Sequence, residues 1–222
     1  MYWKVSFEEK IKGIGSPEQP NGVKTMSAVI KTKQLISVDD YLAGELLAET
    51  KHEYIDGDVY AMAGASKNHQ SITDNVCGEL RQHLKNTPCR PFGSDVKVKV
   101  GADFFYPDVM VVCEDKTDNP YYTESPILLV EVLSKSTRRT DETIKRVAYS
   151  SLPSVQEYVL IEQDFVDVEV CRRSSGWVSN HYFLGDEVWF ESLDFKLAVE
   201  EIYRWVENED MVAFIQASEL DG

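Results

Sequence analysis

Two segments of the chain are almost wholly apolar, and each carries a single acid: Tyr106-Pro107-Asp108-Val109-Met110-Val111-Val112 and Ile127-Leu128-Leu129-Val130-Glu131-Val132-Leu133. Their length and β-branched content predict buried strands. Between Asp95 and Val100 polar and apolar residues alternate strictly, the pattern of a half-buried strand, and Val155 to Ile161 reads as a further strand with Tyr158 to Ile161 as its apolar centre. Ile72, Val76, Leu80 and Leu84 recur every four residues behind Ser66. That spacing predicts an amphipathic helix capped by the serine, with His69 on the same stripe one turn earlier.

Caps and turns supply the remaining elements. Ser37, with Asp40 three residues on, is an Asp version of the capping box and starts a helix expected to reach about Thr50. Asp56-Gly57 joins His52–Ile55 to Val59–Met62 as a hairpin. A helix from Ser136 or Thr137 is expected to carry Ile144, Val147 and Ala148 as its apolar positions and to end at Pro153. Segments 166–171, 177–183 and 188–190 read as antiparallel strands turning at Gly176 and Gly185, and Leu197 to Val206 as a closing amphipathic stretch. The order predicts an α/β (α+β) domain over residues 37–222, with a central mixed sheet flanked by helices. Residues 1–36 hold Gly13, Gly15, Pro17, Pro20 and Gly22 without a sustained period, and are expected to form a mobile tail in which Met26 is an alternative start.

At 222 residues the chain is long enough for one sizeable core. It shows no apolar stretch of about 18 residues and no secretory h-region, which predicts a cytoplasmic protein. Cys77, Cys89, Cys113 and Cys171 have no CxxC spacing and are expected to be buried free thiols. The net charge of -15 argues against binding nucleic acid through a broad basic surface. Divalent cations can neutralise an acidic site, however, and the cluster Arg138-Arg139 with Lys145-Arg146 remains available to phosphate.

A carboxylate among residues that seek burial must be hydrogen-bonded, paired or metal-bound, because an isolated buried charge costs several kcal/mol or more, on the order given for buried ions. Either acid alone could face solvent or pair with a base. Asp108 and Glu131 on successive strands together suggest a metal site, since Mg²⁺ is usually held by one or two carboxylates plus water and substrate phosphate. Glu53 reads either as an exposed hairpin acid or as a site residue, and His69 either as a core histidine or as a site residue. Asp95 is expected to face solvent or cap a turn. Gly13-Ile14-Gly15 lacks the rest of the dinucleotide fingerprint, GxSxG and HExxH are absent, and the four histidines are scattered.

The segments YPDVMVV, ILLVEVLSKSTRRTDETIKRVAYSSLPSVQEYVLIE and KHEYIDGDVYAMAGASKNHQSI, in their order, closely resemble a bacterial nuclease family of the restriction-endonuclease-like PD-(D/E)XK superfamily. The resemblance spans roughly Val38 to Val206. It implies that fold and a Mg²⁺-dependent nuclease, with Mn²⁺ as the alternative ion, acting on nucleic acid and on DNA foremost. A homodimer is expected, because two sites can cut two strands. Asp108 and Glu131 would be the paired catalytic acids and metal ligands. The lysine usual two residues after the second acid is replaced by Leu133, and the resemblance implies supply from the following helix, where Lys145 fits better than Lys135. Glu53 and His69 match recurrent family positions, as do Tyr149 and Tyr158, which are expected to be packing residues. The alternatives are a catalytically inactive interaction or regulatory protein that keeps the fold, and a metal-dependent hydrolase of another phosphate ester.

Overall fold

Residues 35–220 are described by the computed structural model, so residues 1–34 of the expected tail, Met26 among them, lie outside the described residues. The strands in chain order are His52–Ile55 (β1), Asp58–Ala61 (β2), Arg90–Gly93 (β3), Lys97–Val100 (β4), Asp103–Phe105 (β5), Val109–Val112 (β6), Tyr122–Thr123 (β7), Pro126–Leu133 (β8), Glu157–Glu162 (β9), Val168–Arg172 (β10), Ser179–Tyr182 (β11), Glu187–Phe190 (β12) and Phe195–Ala198 (β13). The helices are Val38–Glu45 (α1), Lys67–His83 (α2), Arg146–Ser151 (α3), Val199–Ile202 (α4) and Glu209–Leu220 (α5), and a π-helical turn, Thr140–Lys145, leads directly into α3.

Both acid-bearing runs enter one six-stranded mixed sheet of order β11-β10-β9-β8-β6-β3. β8 pairs parallel with β9 and antiparallel with β6, with Val109 opposite Val130 and Met110 opposite Leu129. Because side chains alternate along a strand, the sheet buries two faces. Val109, Val111, Leu128, Val130 and Val132 pack with Ile72, Val76 and Leu80 of α2. Met110, Leu129 and Leu133 pack on the other face with Tyr149, Tyr158 and Leu160. Burial of each such side chain contributes roughly 1.5–3 kcal/mol. A second sheet, β2-β1-β5-β4-β7, contains the Asp56-Gly57 hairpin, whose two positive φ values fit the tight turn.

Several sequence expectations are corrected. α1 ends at Glu45 instead of Thr50, because Leu46 and Leu47 find no core and stay exposed. Ile36, assigned to the tail, is tied to the domain by its N–H on the Gly57 carbonyl. Leu197 to Val206 divides between β13 and the short α4, and α5 follows as a further helix. Cys89 and Cys113 form a disulfide, since Arg90 pairs with Val112 and the register sets the two cysteines opposite each other one step further; Cys77 and Cys171 are the free buried thiols. Among the described residues no helix is long and apolar enough to cross a membrane.

Candidate functional site

The helix after β8 turns its polar side inward. Ile144 and Val147, expected in its apolar face, are exposed, while Asp141, Lys145 and Tyr149 are buried. Their spacing of four residues brings them onto one face, and that face lies against the acid-bearing side of β8. A buried lysine and aspartate at this place require partners, which the sheet supplies.

Lys145 Nζ stands 2.9 Å from Glu53 Oε1, 3.0 Å from Glu131 Oε1 and 3.1 Å from Asp141 Oδ1. Glu131 Oε1 also accepts the Tyr149 hydroxyl at 3.0 Å. Glu53 Oε1 accepts the Tyr106 N–H, so the second sheet is joined to the cluster beside the Asp108 strand. Asp108 lies at the next register position before Val109, opposite Glu131, and its Oδ2 accepts the Val132 N–H at 2.7 Å. His69 Nε2 is 3.3 Å from the same oxygen. The first turn of α2 is itself fixed to the sheet: Ser66 Oγ accepts the His69 N–H and donates to Gln163, whose amide donates to the Leu133 carbonyl.

The sequence-selected Glu53, His69, Asp108, Glu131 and Lys145 therefore meet in one region. Glu53 is buried, unlike an exposed hairpin acid. Asp141 and Gln163 were missed; the signal for Asp141 was its spacing of four residues from Lys145. Tyr149 packs against Phe105 and Tyr158 as expected, and in addition bonds a site acid. The proposed basic cluster is largely engaged: Arg138 forks onto Glu162, Arg146 pairs with Glu169, and Lys145 is interior. Asp95 is exposed and pairs with Lys51, while Lys97, placed by alternation on a solvated face, is buried under Tyr106.

Full burial pushes the Glu131 carboxyl well above its ordinary range; Lys145 opposes this, and Asp141, Asp108 and Glu53 reinforce it. Burial works against charge on Lys145 too, but Glu131, Tyr149, Glu53 and Asp141 prevail and hold its ammonium well above the ordinary lysine value. His69 follows the same logic: burial lowers it, and the hydrogen bond and charge of Asp108 raise it further. Thus one ammonium is surrounded by an excess of carboxyl groups, and Glu131 holds its proton more readily than an ordinary carboxyl does.

Among the described residues no set of three or more His, Cys, Asp or Glu side chains forms a ready-made metal cage. The donor chemistry nevertheless fits Mg²⁺, which needs only one or two protein carboxylates beside water and substrate oxygens. Asp108 meets the described residues through Oδ2 and Glu131 through Oε1.

A solved structure described as a putative nuclease from Anabaena variabilis has the same fold, with a TM-score of 0.66 at 20% identity over 78% of this chain and 99% of that one. Two uncharacterized proteins of Synechocystis are 33% and 34% identical to this chain, over 76% and 72% of it and over 92% and 88% of their own lengths. The model of the Uma2 family, described as "Putative restriction endonuclease", matches residues 38–200 and spans the two acids, the lysine and the sheet that carries them, and the chain belongs to that family.

Proposed function

We propose that the protein is a Mg²⁺-dependent nuclease that hydrolyses phosphodiester bonds of DNA, with Asp108 and Glu131 as metal ligands and Lys145 as the catalytic cation. The observation that carries this reading is the Asp108 carboxylate held on the Val132 N–H, next in the chain to Glu131, with the Lys145 ammonium 3.0 Å from Glu131. A bound Mg²⁺ would supply Lewis-acid stabilisation of phosphate oxygens and a water of lowered pKa. Asp108 is oriented for its part by the Val132 N–H and His69, and Glu131 by Tyr149 and Lys145. Lys145 keeps its charge because acids surround it, so it can donate to a phosphate oxygen or to the attacking water as negative charge develops. A homodimer belongs to the same reading, and the outward apolar residues Val212 and Ile215 of α5 give it a surface.

A second reading is favoured by the seat of Lys145 among three carboxylates: a scaffold in which the ammonium satisfies the acids and no metal enters. Incubation of the purified full chain with plasmid and with labelled oligonucleotides, in Mg²⁺ or Mn²⁺ and in EDTA, separates the two. Metal-dependent cleavage lost in Glu131→Gln supports the nuclease. Absence of cleavage under every condition, or equal cleavage by Glu131→Gln, favours the scaffold.

A further inference from the structure

Gly78 sits well inside α2, where glycine is the costliest residue after proline. Its backbone is not in the left-handed region, and a Cβ added there would meet nothing within 4 Å. Neither conformation nor packing among the described residues requires it. Gly78 faces an open cleft of ≈ 290 Å³ between α2 and the turn from β3 to β4, and Gly93 on the opposite wall likewise has open space where a Cβ would stand. Two glycines therefore keep this cleft wide at the level of the backbone.

The cleft adjoins the candidate site on both walls. Gly93 pairs with Val109, the residue after Asp108, and Thr73, also in the lining, bonds the His69 carbonyl. Its charges are unevenly satisfied. Asp95 takes Lys51, while Asp74, which accepts only the neutral Gln70 amide, and Arg81 have no ion pair among the described residues. The cation the cleft itself offers a ligand is thus a guanidinium, which suits phosphate, with the Asp74 carboxylate as the opposing charge in the lining. The volume is near the roughly 300 Å³ lower end of small-ligand sites, a size for one nucleotide and too small for a duplex groove.

We propose that this cleft is a subsite for one nucleotide of a nucleic-acid strand next to the phosphodiester at Asp108, with Gly78 and Gly93 letting the strand approach the backbone and Arg81 contacting its phosphate. The assignment rests on the nuclease reading and extends it to substrate positioning. It is tested by fluorescence anisotropy of labelled DNA and RNA strands of about twelve nucleotides with the full chain in Ca²⁺, an oxygen-seeking ion. Gly78→Leu, which fills the cleft, is expected to weaken binding about tenfold or more, the scale of losing one nucleotide's contacts, with an unfolding midpoint no lower than the parent's. Arg81→Gln is expected to lower the slope of log affinity against log salt by about 0.7, one phosphate of a single strand. The tighter of the DNA and RNA arms identifies the strand.

Parent-like binding by Gly78→Leu overturns the subsite and leaves the nuclease reading standing; failure of the parent to bind either strand overturns both. Should Gly78→Leu fold poorly, an unchanged salt slope in Arg81→Gln overturns the subsite by itself. Light scattering supplies the remaining arm, because loss of a dimer in Gly78→Leu with strand binding intact would assign the cleft to a second copy of the chain.

Discussion

The ammonium of Lys145 lies 3.0 Å from Oε1 of Glu131, although the lysine comes from a helix 14 residues further along the chain. The same nitrogen serves Glu53 and Asp141, so one cation ties together acids from three separate elements. Lys145→Met keeps the stem and deletes that charge. With three carboxyl groups left to face each other in a buried site, stability is expected to fall by about 3–5 kcal/mol, the cost of breaking a buried ion pair. The fold is therefore more dependent on this residue than an exposed helix lysine would make it. Urea unfolding checks the loss, and Mn²⁺ is expected to restore part of it by replacing the missing positive charge.

Tyr149 touches Glu131 through its hydroxyl alone, while its ring packs between Phe105 and Tyr158. Tyr149→Phe preserves the ring contacts and is expected to cost about 1 kcal/mol, the net value of one hydrogen bond. Cleavage should slow less than in Glu131→Gln, because the acid remains and only its orientation loosens. Denaturant unfolding and single-turnover cleavage of the same preparation measure both effects. A Tyr149→Phe variant slower than Glu131→Gln would make the hydroxyl a direct participant.

The Cys89–Cys113 bridge joins the edge strand β3 to β6, the strand that Asp108 precedes. Replacing both cysteines by serine is expected to lower stability by about 2–4 kcal/mol, the usual range for a native disulfide. The denatured, unreduced chain should titrate the thiols of Cys77 and Cys171 only. Reactivity of all four cysteines without reductant would contradict the bridge.

Glu169 contributes a separate pH dependence. Burial alone would raise its carboxyl, but the Ser179 hydroxyl and the Arg146 guanidinium outweigh burial and hold it below its ordinary value. A carboxyl with a depressed folded-state pKa stabilises the fold above its unfolded value, and that stabilisation is lost as pH falls through the lower, folded-state value. Glu169→Gln is thus expected to be less stable than the parent at neutral pH and to approach it in acid. Unfolding midpoints between about pH 7 and pH 2, a range that covers both carboxylate states, test the convergence.

The parts legible in the sequence were those governed by period and by local turn chemistry. The four-residue stripe of α2 and the apolar runs of β6 and β8 are simple because each element buries a continuous surface. Asp56-Gly57 declared its hairpin because few residue pairs accept two positive φ values. The helix after β8 read wrongly for the opposite reason. Its interior face is built from Asp141, Lys145 and Tyr149, so the usual rule that apolar residues point inward places Ile144 and Val147 on the wrong side. The burial of Lys97 beneath Tyr106 broke the strand alternation in the same way. Pairing of Cys89 with Cys113 depends on the β3–β6 register, which no local pattern of residues encodes. Gln163 was invisible because its role appears only when the end of β9 meets the cap of α2.

Calorimetric titration of Mn²⁺ into the parent, Asp108→Asn and Glu131→Gln, repeated in two buffers of different ionisation enthalpy, measures whether the two acids share one ion. Because burial and neighbouring acids keep Glu131 protonated more readily than an ordinary carboxyl, binding should displace a proton and its enthalpy should depend on the buffer. The expected result is a single site per chain in the parent, lost in either variant while the fold is retained by circular dichroism. Undiminished Mn²⁺ binding by Asp108→Asn or Glu131→Gln, or no binding by the parent, would contradict the assignment of these two carboxylates as a metal site.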